Sequence, residues 1–546
     1  MVLFTGQTLL SLLQLWTGWQ QTPVPNSNIA TLQLDGATLT GVRNGSLEYF
    51  LGVPYAQPPV GDLRLRLPQV IESYEGTLDA TAYGHPCLSQ PLDITATFPP
   101  EVMEGLKPLF EVMGLSANVT ESEDCLHLNI VRPANVSTEA KLPVIFYIHG
   151  GGFIQGSNAM ILYNGTRFVE KSIELGEPVI YVALNYRLYV MGFLGGREIK
   201  EAGLGNLGLQ DQRAALRWVN KFISAFGGDP SKVTIWGESA GAMSVFFHLY
   251  ANGGDPEGLF RAGIMSSGFA IPTKNITSTQ GVYEFVVEKV GCANADDTLK
   301  CLRTVSADSL IAAANEHPDG MPAYFPREDG SFISMSPMHL PPMGRIANVP
   351  FITGDVKDEG TFFAFHVVNI TTDEEVVSHL SQLRFPGSSH ADFNTLLELY
   401  SSDPAAGSPF DTGNKNVYSP QFKRIAAIEG DWLFHVPRRF FLEHVSATRT
   451  AYNYLSARGN FPGLGNFHAS DLLNSFGGGD MTDYFVHFVN YLDPNGETAV
   501  QWPPYNSSSR LTLQFNEGSV PLNVMVDDQR VEGMKELTSL VMRFPF

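Results

Sequence analysis

Residues 233–244, VTIWGESAGAMS, place Ser239 between two glycines directly after a β-branched run. A serine hydroxyl at such a junction can act as a nucleophile if the chain turns sharply there. Residues 233–236 are expected to form a buried strand and the following AGAMSVFFHLYA a helix, so the turn between them is tight. Gly237 and Gly241 then stand where a Cβ would collide with neighbouring backbone. The turn lifts the hydroxyl above the sheet. It also aims the first amides of the helix, the positive end of its dipole, at the same spot. That arrangement suits a reaction passing through a negatively charged tetrahedral intermediate. The competing role for a serine at a strand–helix junction is an ordinary N-cap.

A second glycine-rich stretch, YIHGGGF at residues 147–153, also follows an expected strand, residues 142–148. Three consecutive glycines leave backbone N–H groups uncovered by side chains. The amides of Gly151, Gly152 and Ala240 are the expected donors to an oxyanion, each contributing roughly 3–4 kcal/mol in the transition state. The competing reading is a plain flexible turn.

These loops need elements to hold them. Short β-branched runs alternate with helix-like stretches along the chain. PVIYVALNYRL carries a strand, and QDQRAALRWVNKFISAFGG has Ala215, Trp218, Val219, Phe222 and Phe226 at helical spacing before two glycines. RAGIMSS, VPFITG and TAYNYL are later strands. Such alternation predicts an α/β fold, a large mostly parallel sheet covered by helices on both faces. No linker divides it, so residues 25–546 are expected to be one domain with long insertions.

The totals narrow the function. A formal net charge of −21 repels phosphate backbones, which argues against a nucleic-acid partner. Residues 2–19 are uncharged and largely apolar before Pro23 and Pro25, so residues 1–20 are expected to be a signal peptide. Seven sequons, at Asn44, Asn118, Asn135, Asn164, Asn275, Asn369 and Asn506, point to a secreted glycoprotein. The four cysteines, Cys87, Cys125, Cys292 and Cys301, lack any C-x-x-C pair, so two disulfides are expected rather than a metal site. Three pairings are possible. The sequential one, 87–125 and 292–301, is preferred and would contribute roughly 4 and 3 kcal/mol by chain entropy.

With both glycine loops in hand, the chain resembles the type-B carboxylesterase/lipase family of the α/β-hydrolase superfamily, which includes fungal lipases and, more distantly, cholinesterases. The resemblance covers nearly everything after residue 28. It is carried by FLGVPYAQPPVGDLRL, SEDCLHLNI, HGGGF, NYRL, GNLGLQDQRAALRWV and GESAG. It implies a Ser-Glu-His triad. The acid of the D-E-G segment is Glu359, with Asp355 and Asp358 as nearby rivals, and the base is His468 in LGNFHASD, against His366 and His435. The order Ser239, Glu359, His468 is that of α/β-hydrolases. His149 precedes the serine, against that order, and is assigned a structural role. Glu238 resembles a buried structural group of the family and stands outside the triad. No metal or cofactor is implied.

In the family the first disulfide closes a loop beside the site. Within residues 87–125, Val102, Leu106, Leu109, Phe110 and Met113 fall on one helical face, as an amphipathic flap would require. A segment simply packed on the core is the equal alternative, and Gly105 and Pro108 oppose an unbroken helix. The loop has no Trp to hold a quaternary ammonium, which disfavours choline esters. The expectation is therefore a secreted, lipase-like hydrolase of apolar acyl esters, its partner a small-molecule or lipid ester and a lipid–water interface. The alternative is a short-chain or aromatic-ester carboxylesterase. The reading from another class is a catalytically inactive, cholinesterase-like adhesion domain; such relatives commonly lose the serine or the histidine, and all three triad positions are retained here. The sequence does not specify the oligomeric state.

Overall fold

The computed structural model describes residues 28–90, 98–100, 102–104, 106, 120–269, 271–318 and 320–545. The expected signal segment, Asn118, and the loop residues Gly105, Pro108, Leu109, Phe110 and Met113 lie outside the described residues.

Thirteen strands among the described residues join in one sheet. They are β1 (Ile29–Leu34), β2 (Gly36–Asn44), β3 (Leu47–Pro54), β4 (Glu75–Asp79), β5 (His127–Pro133), β6 (Leu142–Ile148), β7 (Ile180–Leu184), β8 (Gly228–Glu238), β9 (Ala262–Ser266), β10 (Phe351–Val356), β11 (Ala451–Ala457), β12 (Leu511–Asn516) and β13 (Leu522–Val526). Their order is β1-β2-β3-β5-β7-β6-β8-β9-β10-β11-β12-β13, with β4 beside β2. Every pair from β7 through β12 is parallel. The margins, β1-β2-β3-β5-β7 and β12-β13, are antiparallel.

The central strands read as unbroken apolar runs because both faces are covered. Val144, Phe146 and Ile148 of β6 enter one core layer, and Ile145 and Tyr147 enter the other. β7 alternates likewise, with Ile180, Val182 and Leu184 on one side and Tyr181 and Ala183 on the other. The helix Ala240–Gly254 is largely apolar and buried from Ala240 through Ala251, its polar Ser244 and His248 both paired with buried Gln212, as a helix enclosed on every side must be.

Parallel pairing fixes the site. β6, β8, β10 and β11 all end at the same edge of the sheet, as shown by the pairings Ile148↔Gly237, Glu238↔Ser266, Gly354↔Ser266 and Val356↔Ser456. The triple-glycine loop, Ser239, the D-E-G segment and the His468 loop therefore leave the sheet on one side. In open α/β sheets that carboxyl edge is where ligands bind.

The cysteines are bonded 87–125 and 292–301. Of the expected flap face, Val102 and Leu106 are described, and both are buried. Phe98 packs against Phe362 and Phe365, with ring centroids 5.2 and 5.0 Å away. The described part of this loop thus rests on the segment that follows Glu359.

Candidate active site

Ser239 adopts φ 56° and ψ −123°, a left-handed backbone that a residue with a Cβ rarely holds. The strain persists because the turn is gripped from both sides. Its N–H donates to the Ser266 carbonyl of β9 (3.0 Å), and its own carbonyl accepts from Met243 N–H (2.9 Å). The flanking glycines are required sterically. A Cβ on Gly237 would lie 2.2 Å from the Gly241 carbonyl carbon, and one on Gly241 would lie 2.0 Å from the Ile148 carbonyl oxygen.

The half-buried hydroxyl of Ser239 lies 2.9 Å from Nε2 of His468. Nδ1 of the same ring lies 2.7 Å from Oε2 of Glu359. The Glu359 carboxylate accepts from Nδ1, which leaves Nε2 to accept the serine proton. The second oxygen of Glu359 accepts from Val356 N–H at 2.8 Å, which locks the carboxylate at the end of β10. Phe434 and Phe363 pack against the imidazole with ring centroids 4.5 and 5.2 Å away. Burial pushes His468 below its ordinary range, partly countered by Glu238, Asp471 and Asp355. Burial, and next the charge of Asp355, push the Glu359 carboxyl up, while His435 acts the other way. A base that is neutral at neutral pH results.

The rival residues are engaged elsewhere. Asp355 accepts from Nε of Arg438 (2.6 Å) and faces Nδ1 of His435 (2.9 Å). Asp358 accepts from Ser408, Phe410 and Asn466. His366 lies on the exposed side of its turn, beside His379. His149 is buried, stacked 4.4 Å from Tyr186, and donates through Nδ1 to the Gly150 carbonyl. Burial lowers its pKa to about 4, so it is a neutral packing group.

The triple-glycine loop borders the serine. A Cβ on Gly150 would lie 2.5 Å from Oε2 of Glu238 and 3.1 Å from Cβ of Ser239. Gly151 and Gly152 have φ of 104° and 64°. Among the described residues the amides of Gly151, Gly152 and Ala240 donate to no other protein group. They are free to bind an anion formed at the serine.

Glu238 stands closer to the chemistry than its sequence position suggests. Its Oε1 lies 3.2 Å from Nε2 of His468, and its Oε2 accepts from Tyr163 Oη at 3.4 Å. Burial pushes its carboxyl up to about 8, against the opposing pull of His468. The available signal was its adjacency to Ser239, but nothing in the spacing foretold the contact with a histidine 230 residues on. Among the described residues no three His, Cys, Asp or Glu side chains gather as a metal site.

The chain matches a model of the carboxylesterase family over residues 25–532. It is 41% identical over 496 residues to Lipase 4 of Diutina rugosa, covering 87% of this chain and 89% of that protein. It is 42% identical over 511 residues to Secreted lipase 1 of Botryotinia fuckeliana, covering 88% of each. Among solved structures it resembles EstA of Aspergillus niger, with a TM-score of 0.79 and 28% identity over 96% of this chain and 100% of that one.

Proposed function

The chain belongs to the carboxylesterase family and is a carboxylic-ester hydrolase, and from that premise we propose that Ser239, His468 and Glu359 are its catalytic triad, acting on apolar acyl esters as a secreted lipase. The observation that carries this is the continuous chain of contacts from Ser239 Oγ to His468 Nε2 (2.9 Å) and from His468 Nδ1 to Glu359 (2.7 Å).

His468 takes the proton as Ser239 attacks the ester carbonyl, and Glu359 holds the ring and stabilises the imidazolium. The oxyanion forms against the amides of Gly151, Gly152 and Ala240. His468 then protonates the departing alcohol. Water, deprotonated by the same ring, releases the acid from the acyl-enzyme.

The preference for apolar acyl groups rests on the surroundings. Phe363 and Phe434 flank the imidazole. Phe153, directly after the triple glycine, packs against Phe193 and Phe325. The relatives named as lipases support the same reading. Secretion is supported by the apolar N-terminus, the sequons, the two disulfides and the relative named as secreted. No helix among the described residues is long and apolar enough to cross a membrane.

Labelling by an organophosphonate, lost in Ser239→Ala, tests the nucleophile. An unlabelled wild type would overturn the triad. Hydrolysis of emulsified tributyrin against dissolved p-nitrophenyl acetate tests the substrate. A rate that does not rise beyond the tributyrin solubility limit favours the short-chain esterase instead.

A further inference from the structure

The residue before the triad acid is itself a buried carboxylate held by hydrogen bonds, with the positive charges of Lys357, Lys423 and Arg530 acting on it without a close ion pair. Asp358 is 2% exposed, and among the described residues it forms no salt bridge. Its three hydrogen bonds come from two separate loops. Oδ1 accepts from Phe410 N–H (2.7 Å) and Ser408 Oγ (2.9 Å), and Oδ2 accepts from Asn466 N–H (3.0 Å). Its own N–H donates to the Asn466 carbonyl at 2.9 Å, so Asn466 is held through both its backbone groups. Asp358 and Phe467 form an isolated parallel bridge. Thr361 adds a contact, its Oγ lying 2.7 Å from the Leu464 carbonyl.

Asn466 and Phe467 immediately precede His468. Gly465 has φ 68°, and a Cβ there would lie 2.4 Å from Oδ2 of Asp358 and 2.8 Å from Cβ of Pro409. The loop is therefore shaped around this one carboxylate. We infer that Asp358 is a positioning residue, fixing through Asn466 the backbone that presents the His468 ring to Ser239 and Glu359. Adjacent acids divide the work: Glu359 holds the ring, and Asp358 holds the loop that carries it.

A carboxylate is required because it only accepts, and each of its oxygens meets an N–H. An asparagine of the same shape can satisfy one loop and must turn its NH2 against the donor of the other. An unpaired buried donor then displaces one loop.

The inference rests on His468 as the general base, and the test separates the two. In Asp358→Asn, kcat on a soluble ester is expected to fall about tenfold to a hundredfold, the loss a 1 Å misplacement produces, with KM within about threefold. The acidic limb of kcat should also move to lower pH, because a displaced ring loses its Glu359 contact and its imidazolium is less stabilised. A purely structural role would lower folded yield without moving that limb. Ser408→Ala, which removes one hydrogen bond and keeps the carboxylate, should give a smaller fall in the same direction. Folded Asp358→Asn with wild-type kcat, or with an unmoved limb, overturns the inference. If that variant does not fold, an unchanged kcat and limb in Ser408→Ala overturns it. His468→Ala with wild-type activity would instead overturn the triad.

Discussion

Oε1 of Glu238 and Nε2 of His468 lie 3.2 Å apart, so a second carboxyl stands beside the nitrogen that faces the serine. Burial pushes Glu238 up to about 8, so at pH 7 it is protonated and neutral. Above pH 8 it ionises. A negative charge there favours imidazolium over free base and repels the alkoxide forming on Ser239, so kcat/KM should decline on the alkaline side. Glu238→Gln keeps a neutral hydrogen-bonding group of the same shape. Its kcat/KM at pH 7 should stay within about threefold of wild type, the scale of one neutral hydrogen bond, and its decline above pH 8 should vanish. A decline that persists in Glu238→Gln assigns that limb to another group.

The acidic limb belongs to His468. Protonated, the ring cannot accept the Ser239 proton, so activity is lost as pH falls through its pKa. Burial lowers that pKa from 6.5, with the buried carboxyls of Asp471 and Asp355 opposing. The pH profile of kcat/KM should therefore show its acidic midpoint below 6.5, the ordinary value of the group. A midpoint above about 7 would mean that the carboxylates outweigh burial.

The elbow offers a steric test with an internal control. A Cβ on Gly241 lies 2.0 Å from the Ile148 carbonyl oxygen, backbone at the paired end of a central strand that cannot swing aside. Gly241→Ala should destabilise by at least about 3 kcal/mol and yield little folded enzyme. Gly281 lies in the helix Gln280–Lys289 with no atom within 4 Å of its Cβ position. Gly281→Ala should stabilise by about 0.5–1 kcal/mol, because alanine loses less backbone freedom in a helix. Thermal unfolding of the two variants should shift in opposite directions. A Gly241→Ala variant that unfolds at or above the wild-type temperature would show that the elbow glycine is not sterically required.

The candidate nucleophile and the proposed oxyanion loop were legible locally, because a tight strand–helix turn and an exposed run of amides each leave a glycine pattern in adjacent residues. Glu359 and His468 were legible only through family resemblance. His468 lies 229 residues from Ser239 and 109 from Glu359, and the pairing of β8, β9, β10 and β11 is what closes those distances. Residue type could not separate Asp355, Asp358 and Glu359. Each is buried at the same strand end, and only direction distinguishes them: toward Arg438, toward Asn466, or toward His468. Glu238 escaped for the same reason, since its partner is set by sheet register. Of the flap face, only Val102 and Leu106 are described. Both are buried, as the packed-segment reading requires of those two positions.

The sequons differ in what their asparagines already do. Oδ1 of exposed Asn506 accepts from the N–H (2.8 Å) and Oγ (2.5 Å) of Ser508 in a turn closed within the sequon. A glycan on Nδ2 disturbs none of that. Half-buried Asn275 joins three segments: its Oδ1 accepts from Nζ of Lys200 (3.1 Å), and its Nδ2 donates to Oε1 of Glu328 (3.1 Å). A sugar on that nitrogen would have to fit where Asn275 and Glu328 form a β-bridge. In protein secreted from a eukaryotic host, peptide mapping after N-glycosidase treatment should find Asn506 occupied and Asn275 bare. Asn275→Gln should cost about 0.5–1.5 kcal/mol by breaking the hydrogen bonds to half-buried Lys200 and Glu328, while Asn506→Gln should be neutral in stability. Folded, active protein with Asn275 fully occupied would show that this junction tolerates a glycan and that its hydrogen bonds are dispensable.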